Sequence, residues 1–322
     1  MATLISEASL KDGLLGAKVS LIGAPTDVGA SELGARMGPA ALRVAGIAQA
    51  ISGQGHGVLD LGDVLGPSNP QEPPNQGYRH LSQVLAWNAG VYQSVYSALQ
   101  AGQLPLLMGG DHCLAIGSIS AVARWCREKN KKLLVLWLDA HADFNTSSVS
   151  PSSNLHGMPL ACLCGFGPDA LTGLSGASPA LQVSQVRWLG IRSVDSGEKS
   201  LLQQHQACVF DMRHIDESGM RQAMAQALAG LDHHTHLHVS LDVDFLDPSI
   251  APGVATVVPG GPTYREAQLC MEMIADTACM GSLDIVELNP ALDQQNQTAR
   301  LAVDLVESLF GKSTLLRKPA AI

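Results

Sequence analysis

The stretch LLVLWLDAHADFNTSSVSPSSNLH, residues 133–156, opens as an unbroken apolar run and breaks into Asp139, His141 and Asp143. In an extended strand, side chains at i, i+2 and i+4 leave from one face. The spacing therefore predicts three candidate metal ligands converging at the end of a buried strand. A second apolar run, residues 237–241, leads into Asp242 and Asp244 in the same way. Two such strand ends side by side make a dense carboxylate cluster, and the reading this supports is a two-metal hydrolytic site.

Working outward, short apolar runs at 17–23, 58–61, 104–108, 133–138, 186–191, 207–210, 237–241 and 281–286 read as strands. Between them, residues 40–50, 81–99, 115–128, 158–163, 198–205, 218–231, 264–277 and 298–310 read as helices. Strands apolar on both faces, alternating with helices, indicate a mostly parallel sheet covered on both sides, a three-layer α/β/α fold. Ligands of such folds bind outside the carboxyl ends of the strands, and every polar cluster marked above falls there. The polar stretch PSNPQEPPNQ, residues 67–76, reads as a surface loop and not a domain boundary, because the alternation resumes after it. The expectation is one domain over 1–322, with 1–16 and 313–322 as terminal extensions.

Hydrophobic residues make up 46% of the 322 positions and charged ones 15%, enough for a large core, and with only 4% aromatics that core must be aliphatic. A net charge of −9 argues against a nucleic-acid partner, which needs a basic face. The seven cysteines are odd in number and lack disulfide or metal spacing, which reads as reduced thiols in a cytoplasmic protein. No apolar stretch reaches the ~18 residues a membrane span requires, so no membrane partner is expected.

The candidate ligands are His112, Asp139, His141, Asp143, Asp242 and Asp244. Oxygen-rich sets suit hard octahedral ions, and the two imidazoles favour Mn²⁺ over Mg²⁺. Four aspartates also balance the charge of two divalent ions. Taken alone, an Asp-x-Asp after a strand is more often a turn or helix cap, and His112 alone is more often a helix-start residue. The weight lies in the combination, since buried acids and imidazoles gathered without a cation repel or go unsatisfied. Competing signals are weaker. Gly311-Lys-Ser-Thr314 ends like a phosphate-binding loop, but Val306 stands where its upstream glycine belongs. His233, His234, His236 and His238 lead into a strand and read as a solvated turn plus strand packing. No G-x-S-x-G elbow supports a covalent hydrolase.

Gly109-Gly-Asp-His112, Asp139-Ala-His-Ala-Asp143 and Ser240-Leu-Asp-Val-Asp-Phe-Leu-Asp-Pro248 resemble the three signatures of the ureohydrolases, the binuclear manganese enzymes that include arginases and agmatinases. The resemblance runs over about residues 21–309. It implies two Mn²⁺ per chain, one held by His112, Asp139, Asp143 and Asp242, the other by Asp139, His141, Asp242 and Asp244. Asp139 and Asp242 would bridge, with a hydroxide between the ions. It further implies that Asp143 relays a proton to the leaving amine, that His156 is a proton shuttle, and that Glu287 pairs with a guanidinium.

Residues 145–157 are similar to the arginase loop, which implies that Asn145, Ser152 and Asn154 receive an α-carboxylate. Asp195 would meet the α-ammonium with Glu198 nearby, and Thr256 would lie beside the substrate. Together these imply hydrolysis of L-arginine to L-ornithine and urea, by a homo-oligomer, trimer or hexamer. The alternatives are another guanidino-acid or agmatine amidinohydrolase, a non-catalytic metal-binding subunit on the same fold, and a mononuclear zinc deacetylase on a related one. Two positions depart from the pattern: Ser147 stands where proline is common, and Ser153 where glycine is common.

Overall fold

Apolar runs buried on both faces need cover on both sides, and a parallel sheet wrapped by helices supplies it. The computed structural model describes residues 16–315, so the extensions expected at 1–16 and 313–322 lie almost wholly outside the described residues. Eight strands, β1 (Lys18–Ala24), β2 (Gly57–Asp63), β3 (Leu104–Gly109), β4 (Lys132–Leu138), β5 (Val186–Ile191), β6 (Cys208–Asp211), β7 (Thr235–Asp242) and β8 (Met280–Val286), form one sheet. Their order is β2-β1-β3-β8-β7-β4-β5-β6, and every neighbouring pair is parallel. All positions of β3 and β7 are buried.

Alternation along the strands divides the interior in two. Leu136 and Leu138 of β4 join the core under the helices Met220–Ala227, Tyr264–Asp276 and Gln297–Leu309. Val135 and Trp137 join the core under Leu81–Gln100, Ala115–Glu128 and Pro159–Leu163. The chain passes from β3 to β4 with β8 and β7 inserted between them. That reversal of strand order opens a crevice at the carboxyl ends. The loops after β3, β4, β7 and β8 all empty into it.

Two expected helices are each two. Residues 40–50 divide into Gly38–Val44 and Ile47–Gly53, where Gly46 takes φ 88. Residues 218–231 belong to Met212–Ser218 and Met220–Ala227, which break at Gly219 with φ 81. Apolar spacing runs on through both breaks, but a left-handed glycine ends the hydrogen-bond ladder. A short helix at Asp169–Thr172 had no signal long enough to mark it.

Candidate active site and metal centre

Each candidate ligand ends a central strand or follows it closely. After β3, Asp111 caps the turn His112–Leu114 by accepting the Cys113 N–H at 3.0 Å, and its other oxygen accepts the Gly29 N–H at 2.8 Å. After β4 the outcome differs from the sequence expectation. The strand ends at Leu138, so Asp139, His141 and Asp143 do not share a face of its pleat. The backbone turns instead: Asp139 Oδ1 accepts the His141 N–H at 2.6 Å, and Asp143 takes φ 51. Left-handed backbone at an aspartate costs about 1 kcal/mol, and here it swings the Asp143 carboxylate back toward Asp139. At the end of β7, Asp242 Oδ1 accepts the Asp244 N–H at 2.8 Å, which closes the tight turn Val243–Phe245. The Asp-x-Asp is thus a turn cap as well, with Asp242 Oδ2 left to face the cluster.

The groups converge closely. His112 Nδ1 lies 3.1 Å from Asp139 Oδ2, 3.2 Å from Asp143 Oδ2 and 3.2 Å from Asp242 Oδ2. His141 Nδ1 lies 3.0 Å from Asp244 Oδ2 and 3.5 Å from Asp139 Oδ1. Asp139 therefore belongs to two ligand groups, one with His112 and Asp143, the other with His141 and Asp244. Asp139, Asp242 and Asp244 are at most 2% exposed. His112 Nδ1 is buried with no well-directed hydrogen bond, although three carboxylate oxygens surround it. One nitrogen cannot satisfy three anions, whereas a cation held among all four atoms can. The donor set, oxygen-rich with two imidazoles, fits hard divalent ions of the manganese type.

The electrostatics say the same. Burial and the neighbouring Asp139 charge push the Asp143 carboxyl up to about 6. Burial, Asp244 and Asp139 hold Asp242 well above the usual carboxylate range. For Asp139 burial acts upward too, but His112 and His141 outweigh it and keep it low. Divalent charge in the cluster would offset the cost of ionising Asp143 and Asp242.

Outer bonds decide which atoms face inward. His112 Nε2 is bonded to Ser240 Oγ at 2.8 Å, and the ring stacks on Trp137 at 3.9 Å, so Nδ1 is the atom turned to the acids. Trp137 Nε1 donates to Asp139 Oδ2 at 2.9 Å, and Thr256 Oγ1 to Asp244 Oδ2 at 3.0 Å. Such partners orient ligands and tune their basicity.

Beside the cluster opens a cavity of about 250 Å³, lined by His141, Asp143, Asn145, Ser152, His156, Gly157, Ser193, Asp195, Glu198, Asp242, Thr256 and Glu287. Glu287 follows β8 at φ 62; its Oε1 accepts the His112 N–H at 2.8 Å and faces His156 Nδ1 at 3.0 Å, while its Oε2 is buried without a partner. Burial disfavours the His156 cation, but Glu287 more than offsets this and raises the imidazole to about 9. At the other end, Asn145 Nδ2 donates to Asp195 Oδ2 at 3.1 Å, and Asn145 Oδ1 is a second buried atom without a partner. Glu198 accepts the N–H groups of Phe144 at 2.7 Å and Asp195 at 3.3 Å; burial lifts it to about 7.

Of the sequence-predicted substrate contacts, only Asn154 does not line this cavity. It is 7% exposed, and its Oδ1 accepts Arg79 Nε at 2.8 Å and Ser31 Oγ at 2.9 Å. Ser193, which the sequence reading passed over, joins the wall because it bridges to His141 across the ends of β4 and β5. It sits two residues before Asp195, and that nearness was its one signal. A wider hollow of about 720 Å³ opens at the amino ends of the strands, lined by residues such as Trp125, Asp232 and Met280. Neither of the ligand groups found among the described residues lies there. The four histidines of 233–238 divide as a solvated turn and strand packing: His233 and His234 are exposed, while His236 and His238 are buried and share Ser282 Oγ at 2.8 Å each.

An α/β/α sheet with buried acids and imidazoles at its switch point, next to an acid-lined cavity, defines a metal-dependent hydrolase. Comparison with known proteins narrows the class. The family model described as Arginase family matches residues 17–311. The arginase of Brucella melitensis biotype 1 is 44% identical over 304 residues, 92% of this chain and 97% of that protein. The crystal structure of the Bacillus caldovelox arginase superposes with a TM-score of 0.87 at 41% identity, covering 93% of this chain and 100% of that one. That of the Entamoeba histolytica arginase in complex with L-ornithine superposes with a TM-score of 0.84 at 29% identity, covering 94% and 100%. The chain belongs to the arginase family and is an amidinohydrolase.

Proposed function

We propose that the residues gathered at the carboxyl ends of β3, β4, β7 and β8 carry out the reaction of the arginase family, hydrolysis of L-arginine to L-ornithine and urea. His112, Asp139, His141, Asp143, Asp242 and Asp244 would hold two Mn²⁺, with Asp139 and Asp242 shared. Bound there, the ions would lower the pKa of water so that a nucleophile exists at neutral pH. The observation that carries the substrate reading is Glu287 Oε2, an ionised acceptor buried beside the cluster with no donor of its own. A guanidinium is always cationic, planar and rich in N–H donors, so it satisfies that oxygen and is held in register for attack.

At the far end, the Ser152 hydroxyl and the free N–H of Asn145 would receive the α-carboxylate, and Asp195 the α-ammonium, with Glu198 fixing the Asp195 backbone. Thr256 would steady Asp244. Asp143 would take a proton from the attacking water and deliver it to the departing arginine Nε, which becomes the side-chain amine of ornithine. His156, held at Nδ1 by Glu287, would exchange protons with solvent. The product seen with the Entamoeba relative, L-ornithine, carries the same α-amino acid group. All eight strands lying in one sheet supports reading the chain as a single ureohydrolase domain. No helix among the described residues is long and apolar enough to cross a membrane, and we place the protein in the cytoplasm as a trimer or hexamer.

Urea release from L-arginine by the manganese-loaded protein tests this, beside agmatine and guanidinobutyrate. No turnover of arginine would overturn it. Equal preference for agmatine would move the substrate to a guanidino compound without a carboxylate, and a loaded protein inert on all three would make it a metal-binding subunit.

A further inference from the structure

Arg79 stands outside the cavity, in the segment that follows the proline-rich loop. Its backbone N–H donates to Ser153 O at 2.9 Å, and its Nε donates to Asn154 Oδ1 at 2.8 Å. The guanidinium is itself tied back, Nη1 donating to Glu72 O at 3.1 Å. Ser153 needs that hold: it takes φ 59 without being glycine, a conformation disfavoured by about 1 kcal/mol or more. Next to it, the Asn154 N–H donates to Ser152 Oγ at 3.2 Å. With one lone pair so engaged, the Ser152 hydroxyl keeps its own hydrogen for another acceptor, and Ser152 lines the cavity. The brace reaches the other departure from the family pattern as well. Gly77, at φ 80, packs so closely on Ser147 that a Cβ there would lie 2.8 Å from the Ser147 Cβ.

From this we infer that Arg79 is a specificity-determining positioning residue: acting through Asn154 and Ser153, it aims the Ser152 hydroxyl at the substrate's α-carboxylate. Asn154 then serves as the link and not as a direct contact: its Oδ1 is held by Arg79 and Ser31, and the residue does not line the cavity. The inference rests on the reading of Ser152 as a carboxylate donor.

The test is steady-state kinetics of Arg79→Met and Arg79→Lys, manganese-loaded, on L-arginine and on agmatine, which lacks the carboxylate. Each variant forfeits the charge-assisted Nε bond to Asn154, so KM for L-arginine should rise about tenfold. The kcat for arginine and the KM for agmatine should stay within about twofold, and the inhibition constant of L-ornithine should rise in parallel with KM. Equal losses on both substrates, or an unchanged preference, overturn the inference. Arg79→Lys retains charge and stem, so it reads the same ratio should Arg79→Met fold poorly. If the unsubstituted protein itself shows no preference for arginine over agmatine, the carboxylate reading of Ser152 has failed, whatever Arg79 does.

Discussion

Replacing Glu287 by glutamine removes one charge and almost nothing else. The amide oxygen still accepts the His112 N–H, which Glu287 Oε1 now accepts at 2.8 Å, so the turn carrying His112 keeps its anchor. The NH₂ must then occupy the place of Oε2, the buried oxygen without a partner. A guanidinium offers only donors, so it loses a charge-assisted bond worth ~1.5–3 kcal/mol and meets a donor whose burial unpaired costs ~1–3 kcal/mol. Together these amount to roughly 2.5–6 kcal/mol, a fall in kcat/KM of about seventyfold to twenty-five-thousandfold. Urea release from L-arginine measures it, with metal content and Tm recorded alongside. The expected variant retains its manganese and folds. A kcat/KM within tenfold of the parent would refute the assignment, and loss of metal together with activity would make Glu287 a support for His112 instead of a partner for substrate.

Chelation should lower the Tm, and Mn²⁺ at a hundred times its dissociation constant should restore ~2.7 kcal/mol per site; a thermal scan blind to manganese would contradict the metal reading. Gly110→Ala should destabilise by about 3 kcal/mol by overpacking, because its Cβ would fall 1.6 Å from the Thr26 carbonyl oxygen, which is backbone and cannot yield; denaturant melts showing less than ~1 kcal/mol would count against so close an approach. His236 bears on acid stability. Burial, then the nearby His238 and Lys131 charges, depress its pKa to about 3. Its contribution is complete above the unfolded value near 6.5. As pH falls from there toward 3, the unfolded chain takes up a proton that the folded one refuses. Stability then drops by up to ~1.4 kcal/mol per pH unit. His236→Gln should remove that share of the acid slope in denaturant titrations between pH 7 and 5, and an unchanged slope would show that His236 is not buried neutral.

Much of the site was legible in the chain because the chemistry that makes it is rare. Buried Asp139, Asp143, Asp242 and Asp244 at the ends of apolar runs have few stable explanations besides a cation, whatever the detailed backbone. Their placement was read less well. Strand spacing places Asp139, His141 and Asp143 on one face, whereas β4 stops at Leu138 and a left-handed turn at Asp143 does the gathering. Turns of that kind are set by which amides and carboxylates can pair, and the pattern of apolar residues does not report it. The helix breaks at Gly46 and Gly219 leave no mark in the apolar pattern for a related reason: periodicity reports burial, not the sign of φ.

By itself, then, the sequence determined the alternating elements, the cover on both faces of the sheet, and the six ligand candidates, since all of these follow from hydrophobic period and from charge that cannot be buried alone. Only the tertiary structure decided the order of the sheet, which sets β8 and β7 between β3 and β4 and so brings Glu287 to His112 and His156 across 175 and 131 residues. It also decided the part played by the 67–80 segment, which as sequence is a polar loop and in space braces the loop that starts at Asn145. Contacts between loops distant along the chain depend on where the strands deliver them, and no local spacing encodes that.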